Sequence, residues 1–292
     1  MDIQIVISGI VAGSIYALIA VCFVIVYKAT QVVNFGQGEV VMIGAYSGIV
    51  FFSIVGLSYS LSYIMTILVG IVLGVIMGLI CNMAQLKFKV NLFNMFIVTL
   101  AIGFILKSAV MLVMGPNPYT LPPIPGMDTA PRKMAGVFIS PLHIAIITIA
   151  LAIMVALALF FKFTKIGKAM RASSLRIIAA KTVGINVTFM FLLIWIINGI
   201  VGVNIGLLLS PLVPAETTMG LVGIKAFAAA IIGGFTSIPG AIVGGFILGV
   251  IENLSGFFIS TAFKDAVAFI ILIIFLLFRP TGLFEKRFTK RV

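Results

Sequence analysis

Apolar runs of about 20 residues recur along the whole chain, and only short polar segments separate them. A helix needs about 20 apolar residues to cross the roughly 30 Å hydrocarbon core of a bilayer. The chain is 62% hydrophobic and 9% charged, whereas soluble domains carry about 25% charged residues. The sequence therefore predicts an all-α polytopic membrane protein, with residues 1–292 forming a single transmembrane domain.

The runs predict eight or nine transmembrane helices. Segment 222–259 makes the count ambiguous, because Pro and Gly interrupt it within GGFTSIPGAIVGG (233–245). It could form two tilted spans or a broken, re-entrant pair, since non-helical backbone is tolerated there only inside protein or against a water-filled cavity. The predicted spans are 4–27, 38–57, 60–82, 92–114, 141–163, 187–210, 222–236, 240–259 and 264–279.

The distribution of Lys and Arg predicts the orientation of the chain. If segment 162–187 is cytoplasmic, most cations lie inside, as the positive-inside rule requires. Arg132, Lys133, Lys225 and Lys264 then fall outside or at the outer boundary. The N-terminus is expected outside and the C-terminus in the cytoplasm, with the apolar start MDIQIVISGI as an uncleaved first span. The net charge of +12 thus reflects topology and does not indicate nucleic-acid binding.

Segment 162–187 is the most polar stretch between two apolar runs. From Leu175 onward its apolar residues recur at helical spacing, and Gly184 stands where such a helix would end. A short amphipathic helix of this kind is suited to docking on another protein. A solvated loop, or a segment that contacts lipid headgroups, would explain the cations alone. The segment has no carboxylate and six cations, which are Lys162, Lys165, Lys168, Arg171, Arg176 and Lys181.

Segment 115–140 is the longest predicted external connection. It contains six prolines and no helix or strand pattern, so we expect it to be extended and stiff. It could meet a partner outside the cell or serve as a simple connector.

Several polar side chains fall inside predicted spans, where they are costly and need a partner or a role. Asn34 could cap the second helix, and Glu39 would lie in its first turn, where the helix dipole favours an anion. Lys107 is expected to pair or to reach toward the membrane surface. Asn34 and Glu39 could instead line a cavity or meet another subunit. The further candidates for lining a cavity, bridging helices or meeting another subunit are Gln37, Asn198, Asn204 and Glu252. Glycines at four-residue spacing, such as Gly70, Gly74 and Gly78, predict close helix packing.

The sequence offers no catalytic constellation. It has one histidine, His143, and two separated cysteines, so neither a zinc site nor a disulfide framework is indicated. A GxxxxGK[ST] phosphate loop is absent from the sequence. We therefore expect no enzyme activity, metal or cofactor in this chain, and ATP-driven work would require a separate ATPase.

Four motifs in order resemble the permease subunits of bacterial ABC importers for branched-chain amino acids, specifically the H-type subunit. The resemblance covers essentially the whole chain. The motifs are NFGQGEVVMIGAY (34–46), TKIGKAMRASSLRIIAAKTVGIN (164–186), GLVGIKAFAAAIIGGFTSIPGAIVGGFILGVIE (220–252) and FRPTGLFE (278–285).

The resemblance implies a multi-pass protein of the bacterial inner membrane. It implies a second homologous permease, two cytoplasmic ATPases that bind the ATP, and an extracytoplasmic substrate-binding protein. Segment 162–187 would dock into an ATPase groove, and relatives that carry urea, amides or other amino acids leave the substrate open. The positions that match the coupling motif are Gly167, Arg171, Ala172, Ala179, Ala180 and Gly184. Ser173, Ser174, Leu175 and Arg176 stand where the family usually has an acidic residue, so we expect an acidic groove on the ATPase.

An ion-coupled secondary transporter is the main alternative of a different class. It would need coupling acids or ion-binding unwound helices within the membrane. Glu39 and Glu252 are the available acids, and such a transporter would not need a basic docking helix.

Overall fold

The structure, a computed structural model, describes residues 2–88, 90–123, 125–127, 130–134, 137–175, 177–260, 263–279 and 282–284. Its helices follow the predicted apolar runs, which confirms the all-α polytopic architecture. The first half contains α1 (Asp2–Thr30), α2 (Gln37–Ile49), α3 (Tyr59–Asn82) and α4 (Leu92–Met114). The second half contains α5 (Pro141–Phe163), α6 (Lys165–Leu175), α7 (Ile177–Thr182), α8 (Val187–Leu209), α9 (Leu221–Gly233), α10 (Ile238–Phe258) and α11 (Lys264–Phe278).

Single π-helical turns extend α2 and α3. They cover Val50–Ile54 and Met83–Lys87. With these extensions, seven helices within the described ranges are long and apolar enough to cross a membrane. Of the remaining predicted spans, α9 has 13 residues and α11 has 15.

Segment 222–259 forms two separate helices. They are joined through residues 234–237, and Gly234 adopts a φ of 104° that favours glycine. Helix α9 is about 20 Å long at 1.5 Å per residue, so it does not cross the hydrocarbon core by itself. The prediction that this segment is interrupted at its Pro and Gly residues is therefore confirmed, and its first helix is the short one.

Helix α1 lies at the centre of the bundle and packs on α5, α8, α9 and α10. Glycines allow the closest approaches, because a side chain at Gly249 would collide with the backbone of Gly13. Along α3, Gly70 and Gly74 lie against the backbone of α8 in the same way. The predicted glycine faces therefore serve packing within this chain.

The connection between α4 and α5 contains a short antiparallel hairpin, although the sequence shows no strand pattern there. Strand β1 (Arg132–Met134) pairs with β2 (Val137–Ile139). Earlier in the connection, Tyr119 pairs through its backbone with Ala215. These backbone hydrogen bonds link the α4–α5 connection to the segment between α8 and α9.

The start of α1 and the last described residues, 282–284, lie at opposite ends of the bundle. Near the start of α1, Gly9 packs on Val250 in the second half of α10. At the other end of α1, Tyr27 packs on Phe235, next to the start of α10. Leu283 donates a backbone hydrogen bond to Ile232 at this second end. This placement is what an odd number of crossings produces.

Candidate functional site

Helix α2 begins in the interior of the bundle. Its first residue, Gln37, contacts Asn198, which is the twelfth residue of the 23-residue helix α8. The chain reaches this depth through residues 31–36, and Thr99 of α4 bonds to their backbone. Its hydroxyl accepts from Phe35 N at 3.3 Å and donates to Val33 O at 3.2 Å. Non-helical backbone is thus enclosed by protein, as the membrane interior requires.

Helix α9 begins beside the start of α2. Gly38 lies in backbone contact with Gly220, and Gly223 lies against the backbone of Gly38. Turns within 216–223 satisfy the first N–H groups of α9, with Leu221 donating to Thr218 O at 2.9 Å. Two helix N-termini therefore meet inside the bundle, and both belong to motifs that the sequence singled out.

Glu39 lies over the start of α9. Its carboxylate occupies the space that a side chain on Gly220, the residue before α9, would fill. A helix N-terminus carries partial positive charge and stabilises such an anion. The predicted helix-dipole role of Glu39 thus involves α9 as well as its own helix. Lys107 on α4 is half-buried, and the described residues offer it no ion pair.

Asn34, Gln37 and Asn198 form a buried amide cluster. Asn34 Nδ2 donates to Gln37 Oε1 at 3.0 Å, and Asn198 Nδ2 donates to the same oxygen. All three side chains are at most 1% exposed. Asn34 does not cap α2, because Gly36 precedes the helix and the Asn34 side chain turns to Gln37 instead. Asn34 Oδ1, Gln37 Nε2 and Asn198 Oδ1 have no hydrogen-bond partner within the described chain.

The other two polar candidates lie elsewhere. Asn204 accepts a hydrogen bond from Tyr63 OH and so joins α8 to α3. Glu252 Oε1 lies 2.8 Å from Lys225 Nζ and joins α10 to α9. Lys225 also contacts Asp265 at the start of α11. Lys225 therefore joins α9 to both α10 and α11, and its expected position outside or at the outer boundary stays a prediction.

Segment 162–187 folds as two short helices outside the long apolar ones. Helix α6 packs on α1, α5 and α8, with Met170 and Ser173 fully buried. Gly167 lies against the backbone of Phe160 and Phe161 at the end of α5. Gly184 ends α7 with a φ of 83°, as the sequence predicts for a helix C-terminus. Segment 162–187 therefore packs against the transmembrane helices through α6.

The six residues that match the coupling motif divide into three groups. Ala172 and Ala179 are exposed. With Ala180 they line a concave surface between α6 and α7, and the space within it has a volume of about 500 Å³. Gly167 and Gly184 set the backbone at the two ends of the segment. Arg171 points away from this concave surface into a second cavity with Lys28, which the spacing alone did not indicate.

Large apolar side chains border the concave surface and remain exposed. Leu175, Ile178 and Val183 are 78%, 80% and 75% exposed. They are interspersed with the exposed cations Lys165, Lys168 and Lys181. Arg176 lies outside the described residues. An apolar centre with a charged rim is the usual composition of a protein interface.

Comparison with known proteins gives consistent full-length matches. Residues 5–276 match the family model described as branched-chain amino acid transport system / permease component. The high-affinity branched-chain amino acid transport system permease protein BraD of Pseudomonas aeruginosa is 31% identical, covering 99% of this chain and 98% of the relative. LivH, the corresponding protein of Escherichia coli K12, is 30% identical, with coverage of 98% and 96%.

A further relative and a solved structure also match over most of the chain. The probable branched-chain amino acid transport permease protein LivH of Methanocaldococcus jannaschii is 31% identical over 94% of this chain and 90% of the relative. The structure is PsaBC from Streptococcus pneumoniae in complex with Fab. It matches with a TM-score of 0.50 and 18% identity, covering 95% of this chain and 91% of that chain, and shows a likeness of fold alone. The chain belongs to the family of permease components of branched-chain amino acid transport systems.

Proposed function

We propose that this chain forms, with a second homologous permease, the translocation path of an ABC importer for branched-chain amino acids. ATP hydrolysis takes place in two separate cytoplasmic ATPases, and a binding protein delivers the substrate on the opposite side. The family and the names of the full-length relatives support the substrate class. The N-terminus of the chain is outside and the C-terminus is cytoplasmic in this arrangement.

The exposed apolar surface of α6 and α7 is the observation that carries the proposal. Leu175 and Ile178 lie outside the long apolar helices and are 78% and 80% exposed. A matching groove on an ATPase would bury both side chains and pair its acidic residues with Lys165, Lys168 and Lys181. Since α6 packs on α1, α5 and α8, movement of the ATPase would be transmitted directly to transmembrane helices.

The polar groups inside the bundle favour this class over an ion-coupled transporter. Glu252 is paired with Lys225, and Glu39 lies over the start of α9. Each acid thus already interacts with a positive group, although Glu39 Oε2 and Glu252 Oε2 have no hydrogen-bond partner within the described residues. Uptake that survives collapse of the ion gradients and stops when ATP is removed would separate the two classes.

Co-purification tests the proposal directly. The tagged full-length chain, expressed in its native cell and extracted in mild detergent, should bring down two kinds of partner. These are an ATPase with the phosphate-binding loop that this chain lacks, and a second permease of the same family. Recovery of the chain alone, with saturable leucine binding and ion-driven uptake in liposomes, would refute the proposal.

A further inference from the structure

A second cavity lies at the end of the bundle where α1, α5 and α6 meet. It has a volume of about 420 Å³, which is within the size range of small-ligand sites. Three cations from these three helices line it, which are Lys28, Lys162 and Arg171. The residues just before and at the start of α10, 236–239, line the opposite side.

These cations have no negative partner in the part of the chain that the structure describes. The ion pairs Lys225–Glu252 and Lys225–Asp265 do not involve them. Arg171 Nε is buried and has no hydrogen-bond partner, which is costly for a charged group. Lys28 and Arg171 are close enough for their charges to repel each other. A bound anion would remove both costs.

The start of α10 adds to this positive field. Helix α10 has 21 residues, and the dipole of a helix attracts anions to its N-terminus. Ser237 Oγ accepts from Gly240 N at 3.1 Å, so its hydroxyl hydrogen remains available to donate. Lysine and arginine side chains beside a helix N-terminus are the combination that proteins use for phosphate groups.

The position of the cavity relative to the membrane surface indicates what kind of phosphate compound binds there. Lys28 and Lys162 each lie within the last turn of a membrane-spanning helix, which places them at the level of the lipid headgroups. The remaining lining includes Ala158, Phe161, Ile238 and Phe284. These apolar side chains suit the glycerol and first acyl carbons of a lipid better than a free ion. Basic pockets between transmembrane helices are known to bind anionic headgroups.

We propose that Lys28, Lys162 and Arg171, with the N-terminus of α10, bind the phosphate of an anionic phospholipid such as phosphatidylglycerol. The lipid joins α6 to α1 and α10 at the membrane surface. The bound lipid therefore stabilises the position of segment 162–187, which carries the exposed apolar surface. This site is separate from the concave surface between α6 and α7, and it does not depend on the identity of the transported substrate.

Native mass spectrometry of the full-length chain in detergent tests the proposal. Phosphatidylglycerol and phosphatidylcholine are titrated separately, and the bound fraction is measured for each. We expect one phosphatidylglycerol to bind at least tenfold more tightly than phosphatidylcholine. Lys162→Gln and Arg171→Gln should each weaken phosphatidylglycerol binding about tenfold, because each removes a charge-assisted contact.

Lys165→Gln and Lys168→Gln are the matched controls, since both cations are exposed on α6 and neither lines the cavity. They should change the affinity by less than about twofold if contacts in the cavity, rather than overall charge, hold the lipid. Lys162 is itself exposed, so Lys162→Gln should fold normally and keep the test valid if Arg171→Gln does not.

Four outcomes would overturn the proposal. One is equal affinity for the two lipids, and another is an equal effect of the cavity variants and the controls. The third is displacement of phosphatidylglycerol by millimolar inorganic phosphate, which would assign the cavity to a free anion. Loss of lipid binding on addition of a purified ATPase, without any effect of Lys162→Gln, would likewise assign these cations to a protein carboxylate.

Discussion

Lys225 Nζ lies 2.8 Å from Glu252 Oε1 and joins α9 to α10 inside an apolar bundle. The Lys225 and Glu252 side chains are only 14% and 6% exposed, whereas Asp265, the second partner of Lys225, is 64% exposed. The buried carboxylate therefore matters more to the lysine than the exposed one. This difference makes the ion pair a sensitive test of the α9–α10 arrangement.

Replacing Glu252 by Gln should destabilise the protein by on the order of 3 kcal/mol, because it leaves a buried charge without its main partner. Asp265→Asn should cost less than about 1 kcal/mol, as exposed ion pairs do. Denaturation in a fixed detergent, followed by helix content, measures both variants. The double variant Lys225→Met with Glu252→Leu should recover most of the loss. A larger effect of Asp265→Asn than of Glu252→Gln would contradict this view of the pair.

Gly38→Ala should disrupt the meeting of α2 and α9. The added methyl group would collide with the carbonyl of Gly220, and both backbones belong to short helices that start there. Overpacking of this kind costs about 1–3 kcal/mol, and we expect uptake in proteoliposomes to fall with it. Gly256→Ala is the control, because its methyl group would meet only the flexible Lys264 side chain. Equal behaviour of the two variants would show that the α2–α9 contact is not tight.

Gln37→Leu tests the buried amide cluster. It removes the oxygen that accepts hydrogen bonds from both Asn34 and Asn198, and each unpaired donor costs about 1–3 kcal/mol. Asn253→Leu is the control, since Asn253 makes one bond within its own helix, to Gly249 O at 3.0 Å. Thermal stability and uptake are measured together. A loss of uptake with unchanged stability would assign the cluster to the transport path instead of to helix packing.

Leu175→Ala and Ile178→Ala should weaken ATPase association about tenfold each, because they shorten exposed side chains at the centre of the docking surface. Leu112→Ala is matched in exposure, at 87%, but lies on α4 within a membrane-spanning helix. It should leave the association unchanged. The measurement is recovery of the ATPase on the immobilised permease. Equal recovery with all three variants would place the ATPase elsewhere.

Hydropathy and glycine placement were enough to predict most of the architecture. Each predicted run contains a helix, since burying an apolar helix in lipid depends on composition more than on neighbours. Gly184 was predicted at a helix end and has a positive φ there, because only the local backbone decides that conformation. The exposed position of Leu175 and Ile178 also follows from a short amphipathic pattern.

The depth of the helix starts could not be predicted. Segment 31–36 lies between two predicted spans, and nothing in its composition indicates that this non-helical backbone reaches the interior of the bundle. The ion pair of Lys225 with Glu252 was likewise not predicted, because it depends on how α9 packs against α10. The convergence of Lys28, Lys162 and Arg171 depends on contacts among three helices that are distant in sequence.

The shared starting point of α2 and α9 has a consequence for movement. Helix α2 runs from that point toward one end of the bundle beside α3 and α8, and α9 runs toward the other end beside α1 and α10. The two helices thus extend toward opposite ends of the bundle from one point, which lies at the level of Asn198 near the middle of α8. We expect a shift of either helix at this point to change the packing mainly at its own end of the bundle.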